Sequence, residues 1–388
     1  MYPALAVLQN LDPRSRTGLL NRESETSLAE AQLGSADPEI ELLWVGGQGG
    51  MEADLIKKAG VPYSSIPAAG IHGVGMRALP SNLWAIAHGT LASWGLLRRF
   101  RPQVLFFTGG YLAVPMAMAS RLPGLGKPRP AILLFVPDIE PGLAIRTLTR
   151  FSDRIAVTFE DSMVYFPKSQ KVTVTGYPTR ENLKQWDIKT ARKALGLSLS
   201  EPVLLVAGGS KGARSINIAL GRALPELLDE MQVVHISGRL DWPEVEKYRS
   251  TLTKEQASRY KAFKYLHEEM GAALAAADLV VSRAGASALG EYPLFGLPAI
   301  LVPYPYAWRY QQVNASYLAK HGAAIVVEDK ELADQLSPVV RNLLQDRFQL
   351  EAMSQAMRSL ERPGAAREIN VIIRNLVTGE ERERISKW

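Results

Sequence analysis

The stretch VLLVAGGSKGARSIN, Val203 to Asn217, carries the densest set of residues able to do chemistry. Five uncharged apolar residues predict a buried parallel strand, and a helix is expected from about Arg214. Between them the glycines let the backbone come close to a ligand, and the free N–H groups at the helix start, with the helix dipole, favour a phosphate. This makes Gly209, Ser210 and Gly212 candidates for anion binding. Their spacing fits neither G-x-G-x-x-G nor G-x-x-x-x-G-K-[ST], so neither a dinucleotide fingerprint nor a Walker loop is supported. Alone, the same residues would also serve as a tight turn. A second junction, DLVVSRAGASALGE from Asp278 to Glu291, repeats the pattern with Arg283 as a fixed cation and a helix opening near Ala286. Two such turns on parallel strands can converge on one diphosphate. Glu291, four residues after Ser287 and one helical turn deeper, could accept from both hydroxyls of a ribose; a solvated helix glutamate is the plainer reading.

The elements that must hold these turns come from a chain of 388 residues, more than one hydrophobic core usually serves, so two domains are expected. Hydrophobic content of 47% and charged content of 22% describe a globular protein with ample core. A net charge of +6 suits an anionic partner or membrane surface without choosing between them, and no basic run interleaved with aromatics points to nucleic acid. Cysteine is absent, which excludes disulfides and thiolate metal sites and fits a reducing compartment. The five histidines show no ligand spacing, and no Asp-x-Asp occurs, so phosphate charge is expected to meet helix ends and arginines rather than a metal or other cofactor. No signal peptide or credible membrane span is legible; the long uncharged stretches 78–97 and 102–120 are broken by Pro80, Pro102 and Pro115.

Along the chain, residues 14–40 read as a polar surface insertion with no assigned function. The glycines of 46–50 resemble a phosphate loop but are read as structural. In 78–101, Trp84, Ala87, Leu91 and Trp94 recur at helical spacing ahead of Arg98, Arg99 and Arg101. That pattern suits either docking on an anionic membrane surface or a core helix whose last turn carries dipole-favoured cations. Gly176 and Pro178 form a plausible hinge, and Arg180 beyond it is suited to a diphosphate or to an interdomain ion pair. Gln311, Gln312 and Asn314 follow the strand Pro298 to Val302, where amides can both donate to and accept from sugar hydroxyls; the glutamine pair is the expected donor-sugar contact.

GGSKGARSIN, YLHEEM, RAGASALGE with GLPAILVPYP, and QQVNA resemble the nucleotide-binding half of the MurG family, and YPALAV, FTGGYLAVP, VTGYPTR and HGAAIVV extend the likeness through nearly the whole chain. The resemblance implies an α/β protein with two doubly wound Rossmann-like domains facing across a cleft, the GT-B type. Residues 1–176 would form the acceptor and membrane-facing domain, 177–365 the UDP-sugar domain, and 366–388 a helix returning to the first. It implies inverting, metal-independent transfer of N-acetylglucosamine from UDP-N-acetylglucosamine to the lipid-linked muramoyl-pentapeptide of peptidoglycan synthesis, on the cytoplasmic face of the membrane. The segment of His267 would cup the uracil, chiefly through its backbone, and Gly109, Gly110 and Tyr111 would face the acceptor. Two departures stand out. The family's His-Glu-Gln-Asn is here Phe135-Val136-Pro137-Asp138, which puts acceptor identity in question. The family also opens with a strand and a Gly-Gly-x-Gly-Gly-His loop ahead of the position of Met1, so the expectation is a misassigned start, with a gap in the first sheet and the family's candidate base upstream. Asp138 is the substitute base within the chain. Other readings are a related transferase with another lipid acceptor and a catalytically silent UDP-sugar-binding protein; an NAD-linked enzyme is distant because the fingerprint is lacking.

Overall fold

A computed structural model describes residues 1–11, 40–48, 52–67, 79–126, 128–209, 212–306 and 309–378. The insertion 14–40 therefore lies almost wholly outside the described residues, as do Ser210 and the last ten residues of the 366–388 segment. Twelve strands are present: β1 (Trp44–Gly47), β2 (Tyr63–Ile66), β3 (Val104–Phe107), β4 (Ala131–Val136), β5 (Arg154–Val157), β6 (Val172–Val174), β7 (Val203–Ala207), β8 (Gln232–Ile236), β9 (Tyr260–Phe263), β10 (Leu279–Ser282), β11 (Ala299–Leu301) and β12 (Ala324–Val326) among the described residues. All described pairings are parallel.

The C-terminal half holds a six-stranded sheet in the order β12-β11-β10-β7-β8-β9. This is a doubly wound order, and it reverses between β7 and β10, where ligands bind beyond the strand ends in open α/β sheets. Its strands are apolar on both faces because helices cover both sides; β7, VLLVA, is buried throughout. Leu205 and Ala207 point into one core cluster and Leu204 and Val206 into the other.

The N-terminal half is built differently. Its described strands form a four-stranded sheet β3-β4-β5-β6 and a separate pair β1-β2. Val45 of β1 packs in the same apolar cluster as Leu105 and Phe107 of β3, yet no described strand joins the two. The helix Ala365–Thr378 lays Ile369, Ile372, Ile373 and Leu376 against Leu133 and Phe135 of β4 and against Val7 and Leu11 of the first helix, Tyr2–Leu11. Asn370 Nδ2 donates to Val7 O at 3.0 Å, so the end of the described chain is locked to its beginning.

The helix Leu79–Phe100 exposes the stripe anticipated from its spacing. Trp84 is 70% and Leu91 62% exposed, whereas Ser93 and Leu97 face the core. Trp94 departs from the stripe: its indole N–H donates to Pro123 O and its ring stacks under Arg98. Among the described residues no helix is long and apolar enough to cross a membrane.

Candidate active site

Parallel pairing of β7 with β10, with Ala207 beside Ser282, makes the two glycine turns leave adjacent strands on the same edge of the sheet. Gly209 and Gly212 have φ of +80° and +88°, a conformation that costs a side-chain-bearing residue. At Gly212 a Cβ would also stand 2.4 Å from Ser237 O, and at Gly208 it would stand 2.3 Å from Ala213 N. Only glycine allows this turn to lie so close to its own helix and to the end of β8. The helix Arg214–Glu230 follows directly.

Arg283 does not project as a free cation toward that turn, and its expected role as a direct phosphate charge needs correction. Its guanidinium is 12% exposed, pairs with Asp329, donates to Ser215 Oγ at 2.7 Å and to Val302 O at 3.0 Å, and lies over the Tyr304 ring. A guanidinium so far from water needs a counter-ion and matched acceptors, and Asp329 and the carbonyls supply them. The result is a strut from the second turn to the first turn of the 214–230 helix. Ala286 packs beside Tyr177, at the edge of the cluster formed by the first and last described helices.

Glu291, on the helix Ala288–Phe295, is 7% exposed. Burial pushes its carboxyl above the ordinary range, and the Arg180 charge acts against that shift. Arg180 stands with its guanidinium 4.3 Å over the Tyr2 ring and donates from Nη1 to His267 O at 3.3 Å; its buried Nε–H has no partner among the described residues. Tyr2 and Tyr265 share a hydroxyl hydrogen bond of 2.6 Å. The carbonyl of His267 is thus taken by Arg180, while its ring is exposed, stands edge-on to Tyr265, and is held below the usual imidazole range by partial burial, then Lys58 and Arg239. Gln311 Oε1 accepts from Tyr304 N–H at 2.9 Å, which orients its amide, and Gln312 is exposed at the start of the helix Tyr310–Lys320.

Across the cleft, Gly109 and Gly110 have φ of +97° and +87° after β3, and lead to Tyr111 and the helix Ala113–Ala119. Burial raises the Tyr111 phenol, with Tyr310 adding to the shift; burial and then the charge of Asp138 raise Tyr310. Asp138 is itself raised by burial and pulled back by a hydrogen bond from Asn314 Nδ2 at 2.8 Å. Tyr111, Asp138 and Tyr310 therefore gather at one mouth of the cleft.

Three features were not foreseen. Asn314, in line for a sugar contact, is fully buried: besides Asp138 it donates to Ala284 O and accepts from Ile139 N–H, so it ties the domains together. Glu140, buried, receives Arg146 from its own domain and Arg309 Nε from the other at 2.8 Å. Tyr177, buried edge-on to Phe135, senses Glu291, Asp138 and Arg180 together, and its ring occupies the space a Cβ on Gly290 would need. The only sequence signal for this last contact is a glycine inside a helical pattern.

Residues 26–157 match the glycosyltransferase family 28 N-terminal domain, and residues 203–369 match the glycosyltransferase family 28 C-terminal domain. The chain is 36% identical to a UDP-N-acetylglucosamine--N-acetylmuramyl-(pentapeptide) pyrophosphoryl-undecaprenol N-acetylglucosamine transferase of Roseiflexus sp., over 97% of this chain and 92% of that one. A protein of the same name from Moorella thermoacetica is 36% identical over 98% and 96%. Among solved structures, Acinetobacter baumannii MurG superposes with a TM-score of 0.68 at 23% identity, covering 96% of this chain and 95% of that one. The architecture is thereby the GT-B arrangement of two Rossmann-like domains.

Proposed function

Because this chain belongs to the MurG family of glycosyltransferase family 28, we propose that it transfers N-acetylglucosamine from UDP-N-acetylglucosamine to a lipid-linked muramoyl-pentapeptide in peptidoglycan synthesis. The observation that carries the reading is that both glycine turns leave neighbouring strands at the strand-order reversal between β7 and β10 and are joined by Arg283 to Ser215, while Glu291, Arg180 and Asp138 all act on Tyr177.

In this reading Gly209, Ser210 and Gly212 take the diphosphate, Glu291 the ribose hydroxyls, the 265–268 segment the uracil, and Gln311 and Gln312 the sugar. Arg180 supplies cationic charge next to Glu291, and Arg283 acts indirectly by bracing the two turns. The acceptor hydroxyl attacks the anomeric carbon from the first-domain side. A new C–O bond forms as the bond from that carbon to the diphosphate oxygen breaks, so the configuration inverts. Negative charge growing on UDP is met by the amides at the start of the 214–230 helix. The hydroxyl proton goes to a base within hydrogen-bond reach, and Asp138 is the carboxylate at that mouth of the cleft, its affinity for a proton raised by burial.

The exposed Trp84 and Leu91 stripe, ending in Arg98 and Arg99, supports docking of the helix Leu79–Phe100 on an anionic membrane surface, at the cytoplasmic face where UDP-sugars are found. Because Asp138 stands where the family has asparagine, another lipid acceptor is the second reading.

Release of UDP from UDP-N-acetylglucosamine, measured with lipid-linked muramoyl-pentapeptide and with other polyprenyl- or diacylglycerol-linked acceptors, decides between them. Release is expected with the muramoyl acceptor, and Asp138→Asn is expected to lower kcat by about 100-fold or more. Binding of UDP-sugar without release for any acceptor would leave a silent binding protein, and unimpaired turnover of the variant would remove Asp138 as base.

A further inference from the structure

Behind Gly208 and Gly212 lies a chain of hydrogen-bonded polar side chains separate from the residues assigned above to the donor. His235 on β8 is 1% exposed and buried between β7 and β9, on the face covered by the helix Arg214–Glu230. Its Nδ1 lies 2.7 Å from Tyr260 OH and its Nε2 2.9 Å from Asn217 Oδ1. The amide nitrogen of Asn217 donates to Ser237 O at 2.9 Å and to Asp241 Oδ2 at 2.7 Å.

Both partners of that nitrogen are pure acceptors, so the orientation of the amide is forced and Asn217 Oδ1 must accept from His235. The imidazole therefore carries its proton on Nε2 and takes the Tyr260 hydroxyl proton on Nδ1. Burial pushes its pKa down to about 3, so one neutral tautomer persists. Every donor in this chain has one acceptor, the condition under which a buried polar network rigidifies what surrounds it.

What it rigidifies is the end of β8 on which the turn rests. Gly208 N–H donates to Ile236 O at 3.4 Å, and Gly212 lies against the Ser237 carbonyl so closely that no side chain fits. Ser237 O is the same oxygen that Asn217 holds. The spacing between turn and strand end is thus set from behind, through Tyr260, His235 and Asn217 in series.

We infer that His235 and Asn217 are positioning residues for the diphosphate turn, holding Ser237 O and with it Gly208 and Gly212 in the placement that lets the turn receive a nucleoside diphosphate. The inference rests on the donor reading above. In sequence, His235 is one of five scattered histidines and Tyr260 is an ordinary strand tyrosine; only the parallel register of β8 with β9 brings them together.

The test compares calorimetric binding of UDP and of uridine to the full chain. Uridine lacks the phosphates, so its affinity reports the base and ribose contacts alone. His235→Leu is expected to weaken UDP about tenfold and uridine less than about twofold, the size of one lost, well-placed hydrogen bond. His235→Gln can still present an amide N–H to Asn217 and is expected to restore UDP affinity to within about threefold of the parent. Tyr260→Phe removes a single hydroxyl with little change of volume, and is expected to lower UDP affinity about threefold with uridine unchanged; it supplies the reading if the leucine variant does not fold. Equal losses of UDP and uridine, or a folded His235→Leu or Tyr260→Phe protein that binds UDP like the parent, overturn the inference. If the parent itself binds UDP no more tightly than uridine, the donor reading of the turn fails instead.

Discussion

The two sides of the cleft are made rigid in different ways. On the second domain, the described residues of the glycine turn, Gly208 and Gly212, are held by their own domain: from behind by Asn217 and His235, from the side by the Arg283 strut to Ser215 and Asp329. On the first domain, the 137–140 loop takes much of its support from the opposite side of the cleft, through Asn314 to Asp138 and Ile139 and through Arg309 to Glu140. The glycine turn is therefore braced before the domains meet, whereas the 137–140 loop, like the Arg180 and Tyr265 contacts with Tyr2, is completed by their approach. A preorganised anion site stabilises a leaving group without reorganising, whereas a site completed by closure can admit a bulky lipid-linked substrate before it forms.

The sharpest test of this contrast pairs two glycines that share a positive φ. Gly212→Ala must push a Cβ into the Ser237 carbonyl, and is expected to cost about 3 kcal/mol and to weaken UDP about 100-fold. Gly110→Ala meets nothing within 4 Å, so only the backbone term of about 1 kcal/mol remains. Thermal unfolding and UDP titration of both variants check this; equal penalties would mean that the two turns are equally constrained.

Asn314→Ala ranks next. It leaves Asp138, Ala284 O and Ile139 N–H without their partner, and about 2 kcal/mol of stability is expected to go. The pH dependence carries a second signal. Asp138 has its folded pKa raised by burial, so the stability linked to it is present below the ordinary carboxylate range and is lost as pH rises through the folded pKa. A base must be ionised, so kcat/KM should rise with pH through that same raised value. The Asn314 amide favours the ionised form, and its removal should move the acid limb to higher pH. An acid limb that stays in place would separate Asp138 from the rate.

Arg309→Ala is expected to have the smallest effect. Its side chain is mostly exposed and Glu140 keeps Arg146, so about 0.5 kcal/mol is at stake, less at high salt. The informative measurement is the distance between fluorophores placed on the two domains, which should shift toward a more open distribution while UDP affinity stays unchanged.

Much of the donor side was legible without coordinates, because glycine turns between apolar strands and helices are local events. Val203 to Asn217 and Asp278 to Glu291 announce strand, turn and helix in order, and the strands and helices form in that order. The chemistry of individual side chains was less legible. Arg283 looks like a free phosphate cation until Asp329, distant in sequence, comes within ion-pair distance. Asn314 looks like a sugar contact until the first domain closes over it and its amide is saturated. Tyr177 gave no signal beyond the glycine at 290, since its ring has meaning only once Gly290, Glu291 and Asp138 are brought near it.

Composition, the spacing of glycines and the alternation of apolar runs with helical segments were enough to specify a two-domain α/β chain with an anion-binding corner, because those patterns act over a few residues at a time. Which cations remain free, which amides are already matched and which carboxylates are driven toward protonation depended on parallel register and domain approach. Those properties belong to pairs of groups far apart in the chain, and desolvation and hydrogen-bond partnership exist only after such groups have been brought together.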